Sequence, residues 1–348
     1  GSRPRPGARM SVRCGQALNA ALHEIFEHDE RVYLIGEDLL DPYGGAFKIS
    51  QGLSTRWPDR VLTTPVSEAS IFGVSAGLAL RGYRPILEVM FGDFVTLGLD
   101  QVVNGIAKFR AMFDDRVTVP LVVRTPMGGR RGYGPTHSQS LEKLLVGVPG
   151  ITVVAPSECH DVGALLAEAV ADDEPVFFIE NKLMYGRPNR RPEGGRVDEL
   201  ACVEGDGSYP ALTFSGNGFG RAEATLVTYG GMLPVALDAA TQLILEQEVF
   251  TEVVALSRLL PLDLEPVLDS LGRTGSLVTV EEGTLTGGIG AEIASRVQAE
   301  AWSDLNGPVV RVAARDGIVP SARSLEDEAL PGVEDVVSAV TALERVGG

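Results

Sequence analysis

Glu68 is the acidic side chain whose position in this sequence most favours chemistry. It ends the segment Thr64-Pro65-Val66-Ser67-Glu68, directly after a predicted strand and at the start of a helix of small apolar residues. A carboxyl group there can hold or transfer a proton if burial raises its pKa. Helix capping or the helix dipole also explains an acidic residue at this position, without any catalytic role. Taken alone, the position favours the structural explanation.

Two further segments place aromatic and titratable side chains at predicted strand ends. In Met90-Phe91-Gly92-Asp93-Phe94, the rings either stack on a flat heterocycle or fill the core. The Gly-rich segment Gly128–Ser140 carries His137 between a threonine and Ser138-Gln139. A lone histidine is usually structural, but packing explains a histidine in such a long glycine-rich loop poorly. This context favours a site role for His137.

Alternating strands and helices must position these side chains. Continuous apolar runs such as Val119–Arg124 are typical of parallel strands that are covered on both faces. We therefore predict an α/β fold, with a doubly wound, mainly parallel sheet first and a smaller C-terminal α/β domain second. The predicted boundaries are 1–10 for a tag and tail that precede Met10, 11–190 for the first domain, 191–222 for an irregular linker and 223–348 for the second domain.

Within the first domain, the pattern predicts helices at Leu18–Phe26, Ser70–Leu80 and Asp93–Met112. The small residues of Ser70–Leu80 indicate a closely packed helix rather than a surface helix. In the linker, Gly205-Asp206-Gly207 matches the opening of a diphosphate and magnesium motif, but only Asn217 follows nearby and no buried strand precedes it. We interpret this triplet as a turn.

The composition excludes several classes of function. The 348 residues carry a net charge of −17 at pH 7, which disfavours binding to the phosphate backbone of nucleic acids. No apolar run is long enough to cross a membrane. Four histidines and three scattered cysteines argue against a multi-histidine metal site and a disulfide framework, and they suit a cytoplasmic location.

Several motifs, in order along the chain, resemble the β subunit of the thiamine-diphosphate-dependent component of 2-oxoacid dehydrogenase complexes, within the transketolase-like superfamily. The segments that carry this resemblance are Gly36–Asp38, Thr64–Glu68, Glu88–Phe94, Asp100–Asn104, Gly128–Ser140, Glu180–Tyr185, Val278–Gly283 and Gly287–Glu292. The resemblance runs from about Val12 to the C-terminus, apart from the linker.

The resemblance implies roles for individual residues. Glu68 would contact the aminopyrimidine ring of thiamine diphosphate and promote loss of the thiazolium proton, and Phe94 would stack on that ring with Met90 nearby. His137 would lie at the substrate end and assist proton transfer. An α subunit would hold the diphosphate and Mg²⁺ in an assembly of two α and two β chains. Some relatives hold a potassium ion, and the matching backbone carbonyls here are those of Leu121, Ala169, Val170, Asp172 and Glu174.

The implied activity is decarboxylation of pyruvate or a similar small 2-oxoacid, with transfer of the acyl unit to the lipoyl group of an acyltransferase. The chain departs from the family pattern at Pro135-Thr136, at the paired Arg130 and Arg131, and at Asp316–Pro320. These departures leave open a second hypothesis, transfer of a two-carbon unit to an acyl carrier protein or another acceptor. A third hypothesis is a non-catalytic structural subunit, for which Glu68→Ala would leave activity unchanged.

Overall fold

The chain folds around two seven-stranded sheets. The computed structural model describes residues 12–197, 199–216 and 220–344, so the predicted tag, Met10, Asp198 and Asn217 lie outside it. The strands are β1 (Val32–Gly36), β2 (Val61–Thr63), β3 (Arg84–Glu88), β4 (Val122–Met127), β5 (Thr152–Val154), β6 (Val176–Asn181), β7 (Arg196–Val197), β8 (Leu200–Glu204), β9 (Leu212–Gly216), β10 (Ala224–Tyr229), β11 (Thr251–Leu256), β12 (Arg258–Leu260), β13 (Leu277–Thr284) and β14 (Val310–Ala314).

Helices cover the faces of both sheets. They are α1 (Cys14–His28), α2 (Leu53–Arg56), α3 (Glu68–Leu80), α4 (Leu99–Gln101), α5 (Phe109–Met112), α6 (Lys143–Val146), α7 (Val162–Ala171), α8 (Leu233–Gln247), α9 (Glu265–Thr274), α10 (Ile289–Ala301), α11 (Arg323–Ala329) and α12 (Val333–Glu344). Among these described helices, none is both long and apolar enough to cross a membrane.

The first sheet has the order β12-β5-β6-β4-β3-β1-β2. Its strands are parallel except β12, which pairs antiparallel with β5. Because β4 is buried at every residue, it needs apolar cover on both faces. Helices α1 and α7 supply that cover on one face through residues such as Leu18 and Leu166, and α3 supplies it on the other through Phe72. The predicted doubly wound α/β architecture is confirmed.

The second sheet has the order β14-β13-β10-β11-β9-β8-β7. Its first four strands are parallel, and β9, β8 and β7 follow as antiparallel strands. The prediction of an irregular linker is therefore wrong for most of residues 196–216, which extend this sheet. Their strands are short, and Gly205 and Gly207 interrupt the segment between β8 and β9, so the sequence shows no clear period. Gly205-Asp206-Gly207 lies in the connection from β8 to β9, as the turn interpretation expects.

The segment after β3 is not the continuous helix that its composition predicts. Gly92–Gly98 forms 3₁₀ turns and Val102–Ile106 forms a π turn, with only short α-helical pieces at α4 and α5. The chain passes very close to α3 here, because a Cβ atom on Gly98 would lie 2.2 Å from Cδ2 of Phe72. Turns of π type inside helices are frequent at functional sites.

Helix α3 matches its predicted position but not its predicted burial. Ile71 and Phe72 are buried, whereas Gly73, Val74 and Gly77 face outward, and Val74 is 55% exposed. No heavy atom lies within 4 Å of a Cβ placed on Gly73 or Gly77. In this chain alone, α3 therefore has one packed face and one open face of small apolar residues.

Candidate active site

Five candidate site side chains follow five neighbouring strands of the first sheet. Glu37 follows β1, Glu68 follows β2, Phe94 follows β3, His137 follows β4 and Lys182 follows β6. The strands are parallel and adjacent, so all five side chains belong to the carboxyl edge of the sheet, where open α/β sheets bind ligands. Neighbouring strands lie about 4.8 Å apart, so β2 and β4 are separated by about 14 Å.

Two carboxyl groups form one end of this edge. Glu68 is the first residue of α3 and only 7% exposed, although no partner chain is present. Glu37 is similarly buried, and its Oε1 accepts a hydrogen bond from the backbone N–H of Ser67 at 3.2 Å. Burial raises the pKa of Glu37, and the nearby charge of Glu68 raises it further. Glu37 therefore keeps its proton to a higher pH than an exposed glutamate would.

An aromatic cluster with a histidine forms the other end. The His137 ring packs edge-on against Phe91 and Phe94, with ring centroids 4.7 Å and 5.2 Å apart. Its Nδ1 lies 2.9 Å from Oγ1 of Thr136. The structure thus brings Phe94 and His137 together.

Met90 follows β3, two residues after the strand ends. It lines a narrow cleft with Phe47, Tyr185 and the buried side chains of Arg124 and Glu180.

Sequence reasoning missed Lys182 and Asp93 as site residues. Lys182 is 1% exposed, and its Nζ donates to the carbonyl oxygen of His137 at 2.5 Å. Burial lowers the pKa of Lys182 to about 8, although the charges of Asp93 and Glu282 oppose that shift. Asp93 Oδ1 accepts from Nε2 of Gln139 at 2.7 Å. Lysine is rarely buried without a partner. A lysine just past a continuous apolar strand was therefore the sequence feature that could have identified Lys182.

Two of the backbone carbonyl groups expected to hold potassium accept hydrogen bonds from an arginine side chain. Arg84 Nη1 donates to the carbonyl oxygens of Val170 and Asp172, at 2.9 Å and 2.8 Å. Its Nη2 also pairs with Asp173. A potassium ion there would have to share two of its five ligands with a guanidinium group. These carbonyl groups therefore fit a potassium ion poorly.

Glu142 follows the loop that carries His137, and its buried carboxyl group forms a hydrogen bond to the second sheet. Glu142 is 3% exposed, and Oε1 accepts from the Tyr229 hydroxyl at 2.6 Å. Burial raises the pKa of Glu142 from its ordinary value of 4.5 to about 7, and the neighbouring Glu281 and Glu282 also raise it. The group is therefore largely protonated in the folded chain at mildly acidic pH.

This cluster gives the protein a pH-dependent stability. Between about pH 4.5 and 7 the folded state holds a proton at Glu142 that the unfolded chain has lost, so stability falls as pH rises through this window. The raised pKa corresponds to about 3 kcal/mol. We expect Glu142→Gln to remove most of that slope in urea unfolding between pH 5 and 8. Glu30→Gln, at an exposed glutamate, is the control and should retain the wild-type slope. Equal slopes in the two variants would contradict the assignment.

With this geometry established, comparison with known proteins identifies the family. Residues 10–188 match the family model of the transketolase pyrimidine-binding domain, and residues 220–336 match that of the transketolase C-terminal domain. The mitochondrial pyruvate dehydrogenase E1 component subunit β-1 of Arabidopsis thaliana is 37% identical over 331 residues, covering 95% of this chain and 88% of that protein. This chain belongs to the pyruvate dehydrogenase E1 β-subunit family.

Other E1 β relatives cover nearly the whole chain too. The E1 β subunit of Leifsonia xyli subsp. xyli is 36% identical over 338 residues, covering 97% of this chain and 96% of that protein. Among solved structures, a split-gene transketolase described as an inactive β4 tetramer has a TM-score of 0.73 at 22% identity and covers 97% of this chain and 100% of its own. That likeness shows the shared fold. The predicted family membership is confirmed.

Proposed function

We propose that this chain is the β subunit of a thiamine-diphosphate-dependent dehydrogenase that decarboxylates a small 2-oxoacid, with pyruvate as the substrate. The observation that carries the proposal is the placement of Glu68, Phe94 and His137 on one carboxyl edge of the sheet, after β2, β3 and β4, in a chain whose relatives are named pyruvate dehydrogenase E1 β subunits. A carboxyl group, an aromatic face and an imidazole spread along that edge suit an extended heterocyclic cofactor with a substrate at its far end.

The side chains at this edge of the sheet have different roles in the proposed reaction. When bound, thiamine diphosphate supplies the electron sink for decarboxylation. Glu68 would hold a proton at the pyrimidine ring nitrogen, and its low exposure would keep water from competing for that proton. Phe94 would supply an aromatic face for the pyrimidine. His137 donates or accepts a proton at the substrate oxygen, where Phe91 and Phe94 hold its ring.

An α subunit completes the site in this proposal, in an assembly of two α and two β chains. Apolar side chains near Glu68 are open to solvent in the single chain: Val66 is 78% exposed and Leu97 is 56% exposed. Together with the open face of α3 they form an apolar patch of the kind that marks protein interfaces. We assign the cofactor's diphosphate and Mg²⁺ to the α subunit.

The acyl acceptor in the proposal is the lipoyl group of an acyltransferase. Transfer to an acyl carrier protein and a purely structural role receive no support from the named relatives, all of which are E1 β subunits. We further propose a cytoplasmic location, which the bacterial relative supports.

Reconstitution with the α-like partner tests the proposal. We expect the purified complex, supplied with thiamine diphosphate and Mg²⁺, to decarboxylate pyruvate with an artificial electron acceptor and to acylate a lipoyl domain. Either chain alone should be inactive. Cofactor binding without decarboxylation of any small 2-oxoacid would overturn the proposal, and acylation of a carrier protein alone would overturn the assigned acceptor.

A further inference from the structure

The loop that carries His137 has an unusual backbone. Gly128, Arg130, Gly132 and Gly134 all have positive φ, at 95°, 64°, 68° and 77°. Glycine adopts this region freely, but arginine does so at a cost. Successive turns of this kind direct backbone N–H groups into one concave nest that favours a negatively charged group.

A carboxylate from the C-terminal domain fills that nest. Glu326 of α11 is fully buried. Its Oε1 accepts from the backbone N–H of Arg130 at 2.7 Å, and its Oε2 accepts from that of Gly132 at 3.1 Å. The fit leaves no space for a larger residue at Gly129, where a Cβ atom would lie 2.6 Å from Leu330 Cδ1 and 3.1 Å from Oε1 of Glu326. The loop conformation is thus set by a group 196 residues away from Arg130 in the chain.

Two further sets of contacts hold the loop at its sides. The guanidinium group of Arg130 donates to Asp327 Oδ1 at 3.0 Å and to the carbonyl oxygen of Pro331 at 2.7 Å. Glu282 accepts from the backbone N–H of Gly129 at 2.5 Å. The C-terminal domain therefore supplies every charged anchor at the start of the loop, while Lys182 holds its end at the carbonyl of His137.

We propose that Glu326 is a positioning residue for His137. By binding the N–H groups of Arg130 and Gly132, its carboxylate selects the one backbone path that sets the imidazole against Phe91 and Phe94. This inference rests on the proposed function for the role of His137. It does not extend to Glu68, which follows β2 at the other end of the sheet edge from β4 and its loop.

Glu326→Gln tests this role. The amide group keeps the size of the side chain. Its NH₂ group is a donor, however, and cannot accept a hydrogen bond from one of the two backbone N–H groups. In the reconstituted complex we expect kcat to fall about 10- to 100-fold, because displacement of about 1 Å at a reacting group has effects of that size. Hydrogen exchange at the thiazolium carbon of bound cofactor, which reports on Glu68, should stay within about twofold of wild type. Amide exchange of the 128–140 peptide should accelerate.

Glu328→Gln is the matched control, since Glu328 lies on the same helix and is exposed. Equal kcat in the two variants, or a kcat loss without faster loop exchange, would overturn the inference. If Glu326→Gln does not assemble, Glu326→Asp keeps the charge but shortens the reach. A wild-type kcat and a wild-type loop exchange in that variant would also overturn it. Failure of the proposed function is distinct, because the wild-type complex would then not decarboxylate while the loop exchange would still respond to Glu326→Gln.

Discussion

Glu68→Gln is expected to lower kcat of the reconstituted complex about 10²- to 10⁴-fold, the usual range for loss of a positioned acid or base. The amide cannot hold a transferable proton against the pyrimidine nitrogen. Hydrogen exchange at the thiazolium carbon should slow in parallel, because that step depends on the same proton. Cofactor binding should change much less, since Phe94 and the partner's diphosphate site are unaltered.

A control separates this role from the helix-dipole explanation. Glu265 is also the first residue of a helix, α9, and it is exposed and distant from the site. If Glu68 only complements the α3 dipole, both glutamine variants should lose about 0.3–1 kcal/mol of stability and keep full activity. Retained activity in Glu68→Gln would therefore support the non-catalytic hypothesis and remove the central assignment.

The second large effect is expected at Arg124, which lies beneath the site and is 2% exposed. Its Nε and Nη2 donate to the two carboxylate oxygens of Glu180, each at 2.8 Å, and its Nη1 donates to Glu88 at 3.1 Å. Burial alone would lower the pKa of Arg124, but Glu180 and Glu88 together raise it. The guanidinium group therefore stays charged and pairs with both acids inside the sheet.

Arg124→Met should destabilise the chain by about 3–5 kcal/mol, because it leaves Glu180 and Glu88 buried without a counter-charge. Urea unfolding of the single chain measures this loss. Arg110→Met removes an arginine that is 49% exposed and paired with Asp115, and it should cost less than about 1 kcal/mol. A similar cost in both variants would show that the buried network contributes little. The double variant Arg124→Met with Glu180→Gln should recover part of the loss, since one uncompensated charge is gone.

The sequence predicted the strands well because their signal is local. Continuous apolar runs such as Val119–Arg124 record burial on both faces, and the structure has a strand at Val122–Met127. The small strands β7 to β9 were missed, since each is too short to show a period. The break in the helix after β3 was also missed, because it depends on the approach of Gly98 to Phe72, a contact between distant parts of the chain.

The site was predictable only in part, for a similar reason. Glu68, Phe94 and His137 stand out by residue type next to strand ends, and sheet order then places them on one edge. The buried partners do not stand out in this way. Glu326 lies in an acidic, mostly exposed helix, and nothing in its local sequence marks it as fully buried against a loop 196 residues earlier. Such pairings follow from tertiary packing rather than from local pattern.

Strand β12 has a consequence for how the chain is synthesised. Arg258 pairs with Val154 and Leu260 with Val153, so the first sheet is completed by residues made more than one hundred positions later. Until β12 leaves the ribosome, β5 is an exposed edge able to pair with another nascent chain. The two halves are thus not separable folding units in sequence order. A fragment that ends at residue 190 would retain Glu68, Phe94 and His137 but would leave β5 as an unpaired edge strand. A pause in translation before β12 is made would likewise favour aggregation.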